Sequence, residues 1–500
     1  MSQTVRLSPE DNVVTALKPL EAGVEVEGAR TLSLIPRGHK IAARAIPKGE
    51  PIRKYGQIIG YAAEDLSPGR HLHTDEIEFR NTDQAYEFGT DLRPVAKAAQ
   101  PDSFLGYRRP SGKSGTRNHI AILSSVNCSA TAAQRIAAHF TPEILGRYPN
   151  VDGVTAFSHG TGCASHGEGF ENLQRIMWGY ARHPNVAGVL FVGLGCEGNQ
   201  IDWLLEAYGL QKGPLVQVLN IQDVAGLRRT VEKGVERIEA MLPEADAIQR
   251  EPCPASDLIL ALQCGGSDAW SGISANPSLG HATDLLVAQG GAGLLAETPE
   301  IYGAEHLLTR RAATPEIGQA LIDRIRWWED YTARNRASMD NNPSPGNKRG
   351  GLTTILEKSL GAAAKGGTTP LQGVFKYAHP VEGARGFLFM DSPGYDPASV
   401  TGQIASGCNL VAFTTGRGSA FGSKPAPTIK LATNSELARK MPEDMDIDCG
   451  PVITGEKTVE QMGAEIYARL LRVASGERTL SEAQGLGDHE FVPWQIGATM

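Results

Sequence analysis

Along much of the chain, apolar residues come in short unbroken runs that end in glycine or polar residues. HIAILSSVN (119–127), VDGVTAFS (151–158), VAGVLFVG (186–193) and DLILALQ (257–263) show no alternation, the mark of strands buried on both faces. Between such runs lie stretches of helical spacing. In DVAGLRRTVEKGVERIEAML the residues Val224, Leu227, Val231, Val235 and Ile238 recur on one face. Strands near 119–126, 151–157, 187–193 and 215–219 therefore make one α/β unit over 105–250. Strands near 257–263, 292–296, 386–390, 409–414 and 428–432 make a second over 251–500. Residues 1–80 differ: apolar runs punctuated by Gly and Pro, with no amphipathic helix, predict a small β-rich module. The polar stretch 81–104 predicts a linker.

The strand ends carry the candidate chemistry. Apolar runs lead to Cys128, to His159 and Cys163, to Cys196 and Glu197, and to Cys264 followed by Ser267, and parallel sheets bind ligands at the carboxyl ends of their strands. Cys128, Cys163 and Cys196 suit an iron–sulfur cluster with one iron left open, part of a mononuclear site, or plain core positions. Oxygen ligands at Asp268, Glu297 and Asp391 are the alternative metal set. Gly193, Gly195 and Gly198 match the spacing of a dinucleotide turn, with Asp223 where a ribose-binding acid belongs; Cys196 and Glu197 inside the turn weaken that nicotinamide-dependent reading. In the module, His71 and His73 form an H-x-H pair that points to one side of a strand, and His39 lies in RGHK. The loop 106–118 presents Arg108, Arg117 and Asn118 as a possible carboxylate clamp. The irregular stretch holding Asn342, Asn347 and Lys348 suits a polyhydroxylated substrate.

Composition narrows the class. The 500 residues carry a formal net charge of −8, which argues against a nucleic-acid partner. No apolar run is long enough to span a membrane and the start lacks signal-peptide order, so a cytoplasmic enzyme is expected. Seven cysteines, an odd number, point to ligands or core residues more than to disulfides.

GYRRPSGKSGTRN, FSHGTGC, GLGCEGNQ, LQCGGSDAWSGISANPSLG, ETPEIYGAE, NPSPGNKRGG, TTGRGSAFG and ATNSEL together resemble the altronate/galactarate dehydratases, and residues 1–80 resemble the SAF (β-clip) module fused before them. With that resemblance the expected fold class is multidomain α/β: an SAF-like β-clip module, a linker, then two α/β units with mainly parallel, Rossmann-like sheets. The resemblance implies a hydro-lyase that needs a divalent metal, usually iron(II); Mn2+ and an iron–sulfur cluster stand beside it as the alternatives that the residues themselves suggest. It would turn a sugar acid into a 2-keto-3-deoxy acid.

HLH and ETPEIYGAE look like the altronate branch, whereas REPCPASDL and the EKTVEQMG region look like the galactarate branch. A related sulfo-lyase acting on 3-sulfolactate carries the small module on a separate polypeptide, so the fusion favours a dehydratase. On this reading His39, His71, His73 and His159 are the candidate acids and bases. Arg108, Arg117, Asn118, Lys348 and Arg417 are candidate substrate contacts, and a homo-oligomer, a dimer first, is expected.

Overall fold

The computed structural model describes residues 2–81, 85–381 and 383–497. The first of these stretches is all short antiparallel strands, as the Gly- and Pro-punctuated pattern requires. A four-stranded sheet takes in Val13–Ala16, Lys40–Ala42 and His71–Leu72, and a three-stranded sheet takes in Pro51–Lys54 and Gln57–Ala62.

Four parallel strands form the sheet of the second domain: β1 (His119–Ser124), β2 (Gly153–Phe157), β3 (Val186–Gly193) and β4 (Val216–Asn220), in the order β2-β1-β3-β4. Alternate residues of β1 serve two cores. Ile120 and Ile122 pack with the Leu227–Asp246 helix, while Ala121 and Leu123 face the main core of the molecule. The strand Ser103–Arg108 leads into this domain and Glu251–Pro254 leads out, and the two pair antiparallel from Ser103↔Pro254 to Gly106↔Glu251. The sequence pattern did not reveal this ribbon, because each strand is short and only Phe104 and Cys253 among their facing residues are deeply buried and apolar.

The C-terminal domain is built on seven parallel strands: β5 (Ile259–Cys264), β6 (Ala292–Leu295), β7 (Leu371–Phe375), β8 (Gly386–Met390), β9 (Leu410–Thr415), β10 (Thr428–Ala432) and β11 (Ile447–Asp448). Their order is β7-β8-β6-β5-β9-β10-β11, so the winding reverses between β5 and β9. Such a reversal opens a crevice at the carboxyl ends of the two strands.

The expected linker is not a free tether. Residues 82–84 lie outside the described residues, but Tyr86 donates to Glu305, Gly89 and Asp91 bond the backbone of Thr309 and Arg310, and Ala98 bonds Ala288. The segment is laid along the C-terminal domain and delivers the module onto that same domain. There Lys40 Nζ and Lys54 Nζ reach Glu357 Oε2 and Oε1 at 2.8 and 2.9 Å, all three fully buried. Burial pushes Glu357 up, yet the two ammonium groups outweigh it and hold the carboxyl at about 2. Burial lowers Lys40 to about 8 against the pull of Glu357, while at Lys54 Glu357 and Tyr55 together outweigh burial and raise it. Among the described residues no helix is long and apolar enough to cross a membrane.

Candidate active site

At the carboxyl end of β5 the chain turns sharply through Gly265 and Gly266. A Cβ at Gly265 would lie 2.3 Å from Asp396 Oδ2, so glycine is what lets Asp396 close over the strand end. Beyond β6, Glu297 adopts a left-handed conformation, φ 71°, that costs a non-glycine residue about 1–3 kcal/mol. The 3-10 turn Thr298–Ile301 then presents Glu300. Donor atoms of Cys264, Glu297 and Glu300 all lie within 4.8 Å of one another. The Ile355–Ala364 helix supplies Lys358, whose Nζ is 2.6 Å from Glu300 and 2.7 Å from Asn342 Oδ1, and Lys365 at its C-terminal cap reaches Cys264 Sγ at 2.9 Å. Cys264, Glu300, Lys358 and Asp396 border a cavity of about 330 Å³, closed on another side by Ser344 and Asn347 of the loop over the sheet, while Glu297 and Lys365 lie behind its wall against Cys264.

The electrostatics separate the two glutamates. Burial alone would raise both, but Lys358 and Lys365 bring Glu300 below its ordinary value. Glu297 makes no hydrogen bond through either carboxylate oxygen and is fully buried. Burial, then the Glu300 and Asp396 charges, raise it well above the carboxylate range. Burial, reinforced by Glu300, lifts Asp396 to about 7, and burial lifts the Cys264 thiol to about 11 against the pull of Lys365. The site therefore sets an ionised carboxylate, Glu300, and one poised near neutrality, Asp396, on the cavity wall, with the protonated Glu297 directly behind.

The three module histidines gather against the short helix Pro345–Arg349. Pairing of Lys40–Ala42 with His71–Leu72 sets His39 across from His73, with ring centroids 5.0 Å apart, and His71 joins them on the same face at 5.1 and 6.0 Å. His39 Nδ1 and His71 Nε2 share a hydrogen bond of 3.0 Å, and His73 Nε2 donates to the Lys348 carbonyl at 2.8 Å. Burial, followed by the charges of His71 and His73, lowers His39 to about 4, and burial also lowers His71, so both rings are neutral at physiological pH. Lys348 belongs to the short helix Pro345–Arg349, and its neighbour Asn347 lines the cavity and donates to the Ser267 carbonyl. The Ser267 hydroxyl is buried and unpartnered. A second, smaller cavity of about 190 Å³ holds Arg417 together with Arg37 and Arg349.

Other residues named from sequence prove to be structural. Arg117 is a clamp, but for the protein's own Glu482, bound at 2.6 and 2.8 Å, and its remaining donors go to the carbonyls of Thr116, Val473 and Glu477. No donor is left for a substrate. Asn118 is buried and donates to Asn150 and Ala245 carbonyls, and Arg108 pairs with Glu251 on the surface. His159 donates to the Ser124 carbonyl and accepts from Thr161 N, so both ring nitrogens are spent holding a loop. In the alternative metal set, Asp268 is saturated by Trp270 N, Ser271, Thr433 and Asn434; Asp391 accepts from Thr298 and Trp328 through Oδ1 alone, with Oδ2 3.8 Å from Arg324; Glu297 has neither oxygen engaged. The dinucleotide turn fails for a related reason. Glu197 accepts from Leu194 N and Gly195 N, so its own carboxylate occupies the backbone donors that a pyrophosphate would need. Asp223 meanwhile accepts from Asn220.

Residues 2–80 match the altronate/galactarate dehydratase SAF domain, 106–246 the second domain of the D-galactarate dehydratase/altronate hydrolase group, and 255–499 its C-terminal domain. Full-length relatives agree. An altronate dehydratase of Bacillus subtilis is 36% identical over 95% of this chain and 96% of its own length. This chain belongs to the altronate/galactarate dehydratase family. Two further members, the altronate dehydratase and the L-threo-forming galactarate dehydratase of Escherichia coli, are each 35% identical. They cover 100% and 96% of this chain and 100% and 95% of their own lengths. Family membership makes the chain a hydro-lyase of the sugar-acid dehydratase class.

Four residues of the site escaped the sequence reading: Glu300, Lys358 and Asp396 on the cavity wall, and Lys365 against Cys264 behind it. The two lysines had a signal. They stand seven apart, hence on one face, in ILEKSLGAAAK, a helix otherwise small and apolar, where a lysine must find an anion. Asp396 had none, since an acid opening a helix is ordinary capping.

Proposed function

We propose that the chain dehydrates a sugar acid to a 2-keto-3-deoxy acid in the cavity at the ends of β5 and β6. D-altronate, giving 2-dehydro-3-deoxy-D-gluconate, is the first candidate substrate and galactarate the second. The observation that carries the reading is the fully buried, unpartnered carboxyl of Glu297 beside the ion-paired Glu300 and the near-neutral Asp396. Dehydration needs a base for the C2 proton and an acid for the departing 3-hydroxyl. Asp396 takes the C2 proton. Glu297 gives its proton to the 3-hydroxyl, the C3–O bond breaks, and water leaves. The enol that remains becomes the 2-ketone. Lys358 and Lys365 set a positive potential toward the substrate carboxylate, where negative charge grows as the C2 proton departs. Asn342 and Asn347 line the cavity and, with their amides tied to Glu300, Lys358, Ser344 and Ser267, shape the space along the carbon chain.

Two donor sets would suit iron(II): His39, His71 and His73, whose ring nitrogens do not all come within 4.8 Å of one another, and Cys264, Glu297 and Glu300, whose donor atoms do. The three imidazoles share one face and suit a metal of intermediate softness, and burial keeps His39 and His71 neutral, but His39 Nδ1 is bonded to His71 Nε2 and His73 Nε2 to the Lys348 carbonyl. Ammonium groups already occupy Glu300 and Cys264. Bound at either set, iron(II) or manganese(II) would supply Lewis acidity toward a carboxylate and its neighbouring hydroxyl.

The test is an anaerobic assay of the purified protein with iron(II) and no nicotinamide, offered D-altronate, galactarate or 3-sulfolactate in turn. A 2-keto-3-deoxy acid from one of the first two supports the reading. Sulfite release from the third alone, or no product from any, overturns it.

A further inference from the structure

The second domain has strand ends of its own, away from the cavity described above. β2, β1 and β3 are neighbours, and each runs within six residues into a cysteine: Cys163, Cys128 and Cys196. The winding reverses between β1 and β3, the position where such sheets take ligands.

The loops carrying the three thiols are stitched into one unit. Asn127 N bonds Thr161 O at 2.9 Å, Asn199 N bonds Gly162 O at 3.1 Å, and Ser125 Oγ donates to Glu197 Oε1 at 2.5 Å. A Cβ at Gly162 would meet Ser125 O at 2.3 Å, so glycine there lets the first two loops touch beside Cys128 and Cys163. Glu197 and His159 therefore have a purpose: each fixes a cysteine-bearing turn through backbone atoms.

Core packing does not account for these cysteines. All three are exposed, whereas Cys253, Cys264, Cys408 and Cys449 are buried, and none is in a disulfide. Their spacing also excludes the simplest metal site. One ion with sulfur at about 2.3 Å draws its thiolates to within about 4 Å of each other. Among the described residues, the one trio of potential ligands within 4.8 Å is Cys264, Glu297 and Glu300. Thiolates held by separate irons of a cluster stand farther apart. Gln222 Nε2 adds a donor 3.4 Å from Cys196 Sγ, and hydrogen bonds to sulfur are one of the means by which proteins tune such centres.

We propose that Cys128, Cys163 and Cys196 bind a four-iron iron–sulfur cluster through three thiolates, leaving one iron without a protein ligand. The test reconstitutes the full-length chain anaerobically with iron, sulfide and thiol, and measures iron, acid-labile sulfide, visible absorption and the electron spin resonance of the reduced protein. About four acid-labile sulfides per chain, with four irons that go with them, are expected, the sulfide falling more than twofold in each single Cys→Ser variant of the three and unchanged in Cys253→Ser. In the wild type, iodoacetamide should label the three thiols before reconstitution and spare them afterwards. Iron without sulfide, zinc in place of iron, or full cluster content in the triple serine variant would overturn the proposal.

Discussion

The two parallel sheets end in the same vocabulary and use it differently. After β3 stands Glu197, buried, with its oxygens taken by Leu194 N, Gly195 N and Ser125 Oγ. After β6 stands Glu297, also buried, in a strained conformation and with neither oxygen engaged. The cysteines reverse the relation: Cys196 is exposed, while Cys264 is sealed beneath Lys365. A strand end thus marks where chemistry can sit, and hydrogen-bond satisfaction tells which group is free to perform it. A carboxylate that accepts three bonds is a structural part. One that accepts none, where burial makes that costly, is kept for something outside the chain.

Glu297→Gln should break the contrast most visibly. Loss of the proton donor should lower kcat by about 10²–10⁴-fold, with thermal stability unchanged or slightly raised, as steady-state kinetics and calorimetry would show. Glu197→Gln is its counterpart, expected to cost about 1–3 kcal/mol through unpaired backbone donors. Activity lost without stability loss at position 197 would reverse the two roles.

Arg117→Ala comes next. It strands Glu482 and several carbonyls and should destabilise by about 3–5 kcal/mol, while kcat/KM of the folded fraction stays at the wild-type value. Denaturant melts paired with active-site titration separate the two effects.

The pH profile of kcat/KM should show an acid limb near pH 7. Asp396, raised to about 7, must be ionised to act as base, so activity climbs as pH rises through that value. Asp396→Asn should abolish the limb along with turnover, and a limb that survives in residual activity belongs to another group. The smallest effect is expected at Arg108→Ala. An exposed pair with Glu251 is worth about 0–1 kcal/mol, and kinetics should not move.

Much of the architecture was legible because strands buried on both faces leave unbroken apolar runs. β1, β3, β6, β8 and β10 lie where those runs fall, and His39, His71 and His73 do share one face. Short or half-exposed strands left no such trace, as with β7, whose burial fades after Leu371. Site residues were legible by type and not by role. Arg117 and Asp268 have the chemistry of ligand binders, but partners distant in sequence, Glu482 and Thr433, satisfy them from within. Only folding brings those partners near. Conversely, Glu297 was named as one of several oxygen ligands, and its isolation became visible only with its neighbours in place.

The buried triad of Lys40, Lys54 and Glu357 has a consequence for the linker. Because noncovalent contacts already dock the module, the linker's main thermodynamic contribution is an effective concentration, on the order of millimolar for short tethers. Severing the chain within 85–100 should therefore convert an intramolecular complex into a bimolecular one of the same geometry. The module supplied as a separate polypeptide at comparable concentration would still occupy its seat on the Ile355–Ala364 helix. The fusion then sets how full that seat is in a dilute cell, and leaves the shape of the seat unchanged.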